Sequence, residues 1–181
     1  RDLMRWKDEP VALRLRGVSA LLREHPQLAA PLAAEAPLVV LARGAQDAAM
    51  AHVAASRVER GGLLVGEPFA HDGGDAVAAV FIRLAVPGDE ATGDAISLRM
   101  EASVWQQARA ATRDGERIVG WFHSHPGIGA FFSGTDRRTQ AAFFAQPFSL
   151  GWVIDPLRGE HTWFLGAEAR DVVESRLLVL E

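Results

Sequence analysis

Two histidines separated by a single residue, His123 and His125, are candidates for binding one metal ion. Side chains two residues apart in an extended segment project to the same side, so both imidazoles can reach one ion. Asp136 follows at a predicted helix start that Ser133 can cap, where free backbone N–H groups hold a carboxylate in place. Two imidazoles and one carboxylate leave a tetrahedral Zn²⁺ one open position for water, which is the catalytic pattern. These residues predict a catalytic site for one Zn²⁺ per chain, although exposed or hydrogen-bonded histidines are commoner than metal ligands.

An acidic residue upstream, Glu59, supports this prediction because of the segment in which it lies. It opens the pattern Glu-x-x-Gly-x-Leu-x-Gly over residues 59–66, and after the histidine pair and seven residues comes Ser-x-x-Asp over residues 133–136. The whole combination resembles the signature of the JAMM (MPN+) zinc metalloprotease family. The resemblance runs from about Leu38 to Leu165, and residues 120–127 and 153–156 look especially like the proteasome-lid deubiquitinase branch.

Carried over position by position, the resemblance implies a role for each motif residue. His123, His125 and Asp136 would be the zinc ligands. Glu59 would be the general acid/base, and Ser133 would hydrogen-bond the developing oxyanion. Two other interpretations stay open: Glu59 can be a solvated residue at the end of a helix, and Ser133 can be only a helix cap.

Strand-like and helix-like segments alternate along the chain, which predicts a mixed α and β (α/β) class. The resemblance adds a cytidine-deaminase-like core, in which a central mixed sheet is flanked by helices. The histidine pair follows directly on a buried strand, and Asp136 lies at the start of the next helix. The predicted strands are residues 38–42, 61–65, 76–86, 96–100, 118–122, 151–154, 162–165 and 177–180, and the predicted helices are residues 45–58, 103–113 and 139–145.

An amphipathic stripe near the start of the chain sets the first part of the sequence apart. Val11, Leu15, Val18 and Leu22 fall on one face of a helix, and Ala, Pro and Leu dominate the residues that follow it. We therefore expect an N-terminal helical extension and connector over residues 1–37. The metalloprotease-like domain is expected over residues 38–181. The first helix could pack on this domain or dock on a partner.

Composition argues against several classes of protein. The formal net charge of −4 over 181 residues argues against a general nucleic-acid binder. Because no apolar run reaches the ~18 residues of a membrane span and no signal-peptide core opens the sequence, we expect no membrane segment and a cytoplasmic location. The lack of cysteine excludes disulfides, thiolate zinc sites and a cysteine nucleophile.

The resemblance implies a zinc-dependent isopeptidase or peptidase that cleaves after the C-terminal glycine of a ubiquitin-like protein. The arginine-rich composition favours a bacterial chain, and the expected setting is a ubiquitin-like conjugation pathway of the antiphage kind, with its enzymes as further partners. One alternative is a hydrolase that processes a sulfur-carrier protein, against which the pair Phe131-Phe132 argues. A second alternative is a non-catalytic MPN scaffold, against which the complete set of motif residues argues.

The acidic loop from Pro87 to Ala95 is where the resemblance places the extended C-terminal tail of the ubiquitin-like partner. The loop carries Asp89, Glu90 and Asp94 and no basic residue. We expect it to order into a strand beside the tail through main-chain hydrogen bonds. A solvated surface turn is the alternative.

Overall fold

The computed structural model describes residues 13–88 and 102–181, and the described residues form nine strands and five α-helices. Short 3₁₀ turns lie at Pro26–Leu28 and Glu174–Arg176. The strands are β1 (Arg16–Gly17), β2 (Leu38–Ala42), β3 (Gly61–Ala70), β4 (Val77–Pro87), β5 (Arg117–Ser124), β6 (Leu150–Asp155), β7 (Glu160–Leu165), β8 (Arg170–Val172) and β9 (Leu177–Leu180). The helices are α1 (Val18–Glu24), α2 (Ala29–Leu32), α3 (Arg43–Ala54), α4 (Ala102–Ala110) and α5 (Gly134–Phe143).

All the strands belong to one mixed sheet, which confirms the predicted mixed α and β class. The strand order is β8-β7-β6-β5-β3-β4-β2-β9, and β1 pairs with β3 beside this path. The pairs of β2 with β4, β2 with β9 and β5 with β6 are parallel, as is the short pairing of β1. The other described pairs are antiparallel, so β5 has an antiparallel neighbour in β3 and a parallel neighbour in β6.

The two ends of this sheet lie close together. Seven steps separate β8 from β9 in the strand order, and steps of about 4.8 Å would place them about 34 Å apart in a flat sheet. Residues 173–176 alone connect these two strands along the chain, and so short a link spans at most about 18 Å. The sheet therefore curls strongly.

Side chains of β5 alternate between two hydrophobic clusters. Phe122 packs with α3 and with Trp152 in one cluster. Trp121 packs with α4 and Phe132 in the other. Because His123 is two residues after Trp121, it lies on the same side of the strand as Trp121. The side chain of His123 consequently enters a region walled by large aromatic residues.

Helix α3 buries a narrower stripe than the sequence predicts. We expected Ala49, Met50, Val53 and Ala54 to point inward, whereas the buried residues are Ala45, Ala49 and Val53. Met50 is 39% exposed. The stripe follows strict i, i+4 spacing, and the helix ends at Ala54 before a wider face can be covered.

The described part of the N-terminal segment packs against the sheet through β1 and α1. Helix α1 begins only at Val18, after Arg16 and Gly17 have paired with the end of β3, and it ends before His25 as predicted. Its Ala20 and Leu21 are buried in a cluster with residues of β2, β3 and β4. Residues 1–12, which include part of the predicted helix, lie outside the described residues. The division at residue 38 stays a prediction.

Other predictions also fall outside the described residues. They are the predicted strand 96–100 and the part of the acidic loop from Asp89 onward. Within residues 13–88 and 102–181, none of the helices has the length and apolar character that crossing a bilayer requires.

An ion pair attaches the N-terminal segment to β3. Arg16 donates from Nε and Nη2 to the two carboxylate oxygens of Glu67, at 2.5 and 2.7 Å. Glu67 is buried on β3, whereas the Arg16 side chain is half exposed. Because removal of Arg16 leaves a buried carboxylate without its main partner, we expect Arg16→Ala to lower the free energy of unfolding by about 1–3 kcal/mol.

Urea denaturation measures this effect, and Arg14→Ala is the matched control because Arg14 is exposed two residues earlier. The variant Arg16→Ala/Glu67→Gln should recover part of the loss, since an amide is cheaper to bury than a charge. Equal unfolding midpoints for Arg16→Ala and Arg14→Ala would contradict the prediction.

Candidate active site

The three predicted metal ligands come together at the C-terminal end of β5. The Nε2 atoms of His123 and His125 lie 3.1 and 3.3 Å from the two carboxylate oxygens of Asp136. One candidate ligand atom from each residue lies within 4.8 Å of the others, and all three side chains are buried. His125 follows the last residue of β5, and its N–H donates to the carbonyl of Ile154 on β6 at 2.8 Å. The strand pairing is thereby extended through both histidines, while their role as ligands stays a prediction.

Asp136 is held by the first turn of α5. Its backbone N–H donates to Ser133 Oγ at 3.1 Å, and its carboxylate accepts the Ser133 N–H at 2.7 Å. This reciprocal pair is a capping box, which the spacing Ser-x-x-Asp makes possible. Ser133 therefore caps the helix, as one of the two open interpretations expected. The oxyanion role is a separate prediction that this geometry leaves open.

The protonation states of the residues in the cluster depend on one another. Burial raises the pKa of Asp136, but the neighbouring imidazoles of His123 and His125 and the Ser133 N–H outweigh burial and hold that pKa far below its usual range. Burial lowers the pKa of His125, but the carboxylates of Asp136 and Glu59 raise it above its ordinary value overall. Asp136 is thus an ionised carboxylate at neutral pH, as a metal ligand must be.

The donor set fits a divalent zinc ion. Both ring nitrogens of His123 are buried and neither meets hydrogen-bond geometry with a described residue, although Nε2 lies only 3.1 Å from Asp136 Oδ1. A buried polar atom left unpaired costs about 1–3 kcal/mol, so His123 Nε2 in particular gains from a cation beside Asp136. Two imidazoles and one carboxylate are also a ligand combination typical of catalytic zinc.

Helix α5 and β5 are locked together behind the cluster by Gln140. The Trp121 ring stacks on His123 with centroids 4.4 Å apart, and its Nε1 donates to Gln140 Oε1 at 2.7 Å. The Gln140 amide nitrogen donates to the carbonyls of Ser149 and Gly166. Gln140 is fully buried one turn after Asp136 on α5. Gln140 was not among the site residues predicted from the sequence, although its polar side chain on the same helix face as Asp136 was a signal for it.

Glu59 lies at the rim of the cluster. Its Oε1 is 4.0 Å from His125 Nε2, and its side chain is 32% exposed, so it contacts both the buried residues and water. The following residue, Arg60, pairs with Ser124: the Arg60 N–H donates to Ser124 Oγ at 3.0 Å, and the Ser124 N–H donates to the Arg60 carbonyl at 2.8 Å. The buried residue between the two histidines therefore positions the segment that carries Glu59, a role that the sequence analysis did not assign.

The two adjacent phenylalanines have different environments. Phe132 is buried and stacks on Phe164 at 3.9 Å between ring centroids. Phe131 is 48% exposed, and its ring meets His125 edge-on at 5.1 Å. One of the pair therefore belongs to the core, and the other borders the cluster.

Comparison with known proteins supports these observations. The model of a family described as prokaryotic homologues of the JAB domain matches residues 42–165. COP9 signalosome complex subunit 5 of Candida albicans is 35% identical over 107 residues, which make up 56% of this chain and 17% of that protein. NAD(+) hydrolase TcpA of a Theionarchaea archaeon is 34% identical over 110 residues, 60% of this chain and 31% of that protein.

A third relative, the 26S proteasome non-ATPase regulatory subunit 14 of Drosophila melanogaster, is 35% identical over 100 residues, 54% of this chain and 31% of that protein. The chain thus spans between about a sixth and a third of these curated relatives. The solution structure of a Desulfitobacterium hafniense protein superposes with a TM-score of 0.55 at 21% identity, covering 80% of this chain and 94% of that one. A likeness at this level of identity shows the shared fold.

Proposed function

The chain belongs to the family of prokaryotic homologues of the JAB domain, and from this premise we propose that it is a zinc-dependent isopeptidase or peptidase. Its substrate would be a ubiquitin-like protein with an extended C-terminal tail, cleaved after the terminal glycine. The observation that carries the proposal is the buried cluster of His123, His125 and Asp136 with the Glu59 carboxylate at its rim. Those residues stand at the positions that the JAMM signature requires.

His123, His125 and Asp136 would hold the zinc ion. When bound, zinc supplies Lewis-acid polarisation of a carbonyl and lowers the pKa of a bound water from 15.7 to about 7. Glu59 can accept a proton from the attacking water and return it to the departing amine, because its carboxylate lies at the boundary between the cluster and solvent. Ser133 can turn its hydroxyl hydrogen toward the tetrahedral oxygen of the substrate, since its Oγ uses only an acceptor position for the helix cap.

The biological setting is also a proposal. The match to a prokaryotic family supports a prokaryotic setting, and the setting proposed within it is a bacterial ubiquitin-like conjugation pathway, in which the enzyme would process a precursor or remove a conjugated protein. Enzymes of that pathway are the expected partners. An antiphage role and a cytoplasmic location stay predictions of the sequence.

Cleavage of a defined substrate tests the function. The zinc-loaded protein is incubated with ubiquitin-like proteins that carry a fluorophore after a C-terminal Gly-Gly, and in parallel with a sulfur-carrier protein that carries an added C-terminal amino acid. We expect fluorophore release that stops when a chelator removes zinc. Hydrolysis of the sulfur carrier alone would establish the second candidate, and a zinc-loaded protein that cleaves neither would identify a scaffold.

Ser133→Ala separates the two roles of the hydroxyl. We expect it to lower kcat by about 100-fold with little change in KM, because the contact strengthens only in the transition state. Loss of the cap should lower the free energy of unfolding by about 1 kcal/mol. Steady-state kinetics and urea denaturation measure the two effects.

Ser133→Thr is the matched variant, because it keeps both the hydroxyl and a good capping residue. It should retain most of the activity and stability. A Ser133→Ala enzyme that is destabilised but turns over at the original rate would restrict the hydroxyl to capping.

A further inference from the structure

A second buried carboxylate, Asp155, lies beside the cluster without belonging to it. It is the last residue of β6 and has 0% of its surface exposed. Its Oδ1 accepts the backbone N–H of Gly127 at 2.9 Å, and its Oδ2 accepts that of Gly129 at 2.7 Å. Oδ1 also accepts the N–H groups of Leu157 and Arg158, at 3.0 and 3.1 Å. One side chain thus joins the turn after β6 to the loop that follows His125.

These bonds outweigh the cost of burying the charge. Burial raises the pKa of Asp155, but the four backbone N–H groups lower it below its ordinary value overall. The guanidinium of Arg158 is farther away, with its Nε 3.9 Å from Oδ2. Backbone N–H groups therefore provide most of the stabilisation of the ionised carboxylate. They belong to two chain segments, and both segments must keep their positions if the buried charge is to remain hydrogen-bonded.

The loop that Asp155 binds connects two of the candidate ligands. It covers residues 126–132, between His125 and the Ser133 cap of α5. Its own backbone hydrogen bonds are long: the N–H of Ile128 lies 3.3 Å from the carbonyl of His125, and that of Phe131 lies 3.3 Å from the carbonyl of Gly129. Both bonds to Asp155 are shorter. Gly127 and Gly129 have φ of +81° and +96°, a region that other residues rarely adopt.

We propose that Asp155 is a positioning residue for the metal site, which fixes the 126–132 loop and thereby the placement of His125 relative to Asp136. This inference rests on the proposed zinc site. The arrangement requires a carboxylate, because each of the two loop N–H groups bonds a different oxygen. An asparagine of the same shape offers one oxygen, and its NH₂ group would face a backbone donor.

Zinc affinity tests the proposal without reference to peptidase activity. In Asp155→Asn we expect zinc, measured by competition with a chromophoric chelator, to bind about 10–100-fold more weakly, as for other residues that orient metal ligands. The visible spectrum of the cobalt-substituted protein should change as well. In the metal-free protein, the amides of Gly127 and Gly129 should lose protection from hydrogen exchange.

Two further variants separate positioning from a general loss of stability. Leu21→Ala removes buried apolar contacts in the cluster of α1 with β2, β3 and β4, which contains no residue of the loop, and it should leave the zinc affinity unchanged. Gly129→Ala strains the loop but keeps the Asp155 carboxylate, and it should also weaken zinc binding. This variant therefore tests the proposal if Asp155→Asn fails to fold. A zinc affinity unchanged in either folded loop variant would overturn the proposal. A protein that shows the expected affinities but cleaves no ubiquitin-like substrate would contradict the proposed function alone.

Discussion

Replacing His123 or Asp136 by alanine is expected to abolish both zinc binding and turnover. Each variant removes one of the three buried ligand atoms that lie within 4.8 Å of one another. A divalent ion that keeps only two protein ligands binds far more weakly. The zinc affinity should fall by more than the roughly 10–100-fold that is expected when a residue that orients a ligand is removed. Zinc content by mass spectrometry and kcat on the Gly-Gly fluorophore substrate measure the effect.

Asp171→Ala is the control for this experiment, because Asp171 is exposed on β8. It should retain one zinc per chain and full activity. The ligand assignment fails if the double variant His123→Ala/Asp136→Ala keeps stoichiometric zinc and remains active.

The Glu59→Gln variant is expected to retain bound zinc but to lose most of its catalytic activity. The amide has the size and shape of the carboxylate, and the Glu59 side chain lies outside the His123–His125–Asp136 cluster. The amide of the variant cannot accept a proton from the attacking water, so kcat should fall by about 10²–10⁴-fold, the range attributed to general acid/base catalysis. Zinc content, substrate binding and kcat are measured on the same preparation.

An exposed glutamate provides the comparison for this variant. Glu160→Gln, at the start of β7, alters charge by the same amount and should leave kcat unchanged. If Glu59→Gln emptied the zinc site, Glu59 would be a ligand and the base would have to be sought elsewhere.

His123, His125, Ser133 and Asp136 could be proposed from the sequence because their signals are local, whereas Glu59 was proposed only through the resemblance to the JAMM signature. Two residues on one strand face, or a cap and its partner three residues later, are set by the geometry of a single element. No role was assigned to Ser124, Gln140 or Asp155 from the sequence, although two of them lie in segments that carry the resemblance, because they act through contacts with distant segments. Asp155, for example, bonds a loop that is 26 to 28 residues earlier in the chain.

The same distinction between local and long-range signals explains which strands and helices could be predicted from the sequence. Strand β2 was predicted to the residue, because a short apolar run between turn signals is typical of a buried strand. Strands β1 and β8 contain two and three residues, and they exist only through pairing with β3 and β7. Likewise, the apolar stripe predicted an earlier start for α1 than the structure has, because the pairing of Arg16 and Gly17 keeps the chain extended there.

The curl of the sheet has a consequence for synthesis of the chain. Strand β2 leaves the ribosome well before β9, yet β9 is one of its two neighbours and pairs Leu177 with Val39. Until residues 177–180 emerge, β2 presents one unpaired edge whose residues 38–41 are all apolar. Such an edge attracts other unpaired strands and favours aggregation. Pairing of β9 with β2 covers this edge, so we expect the aggregation risk of the nascent domain to fall once residues 177–180 have emerged.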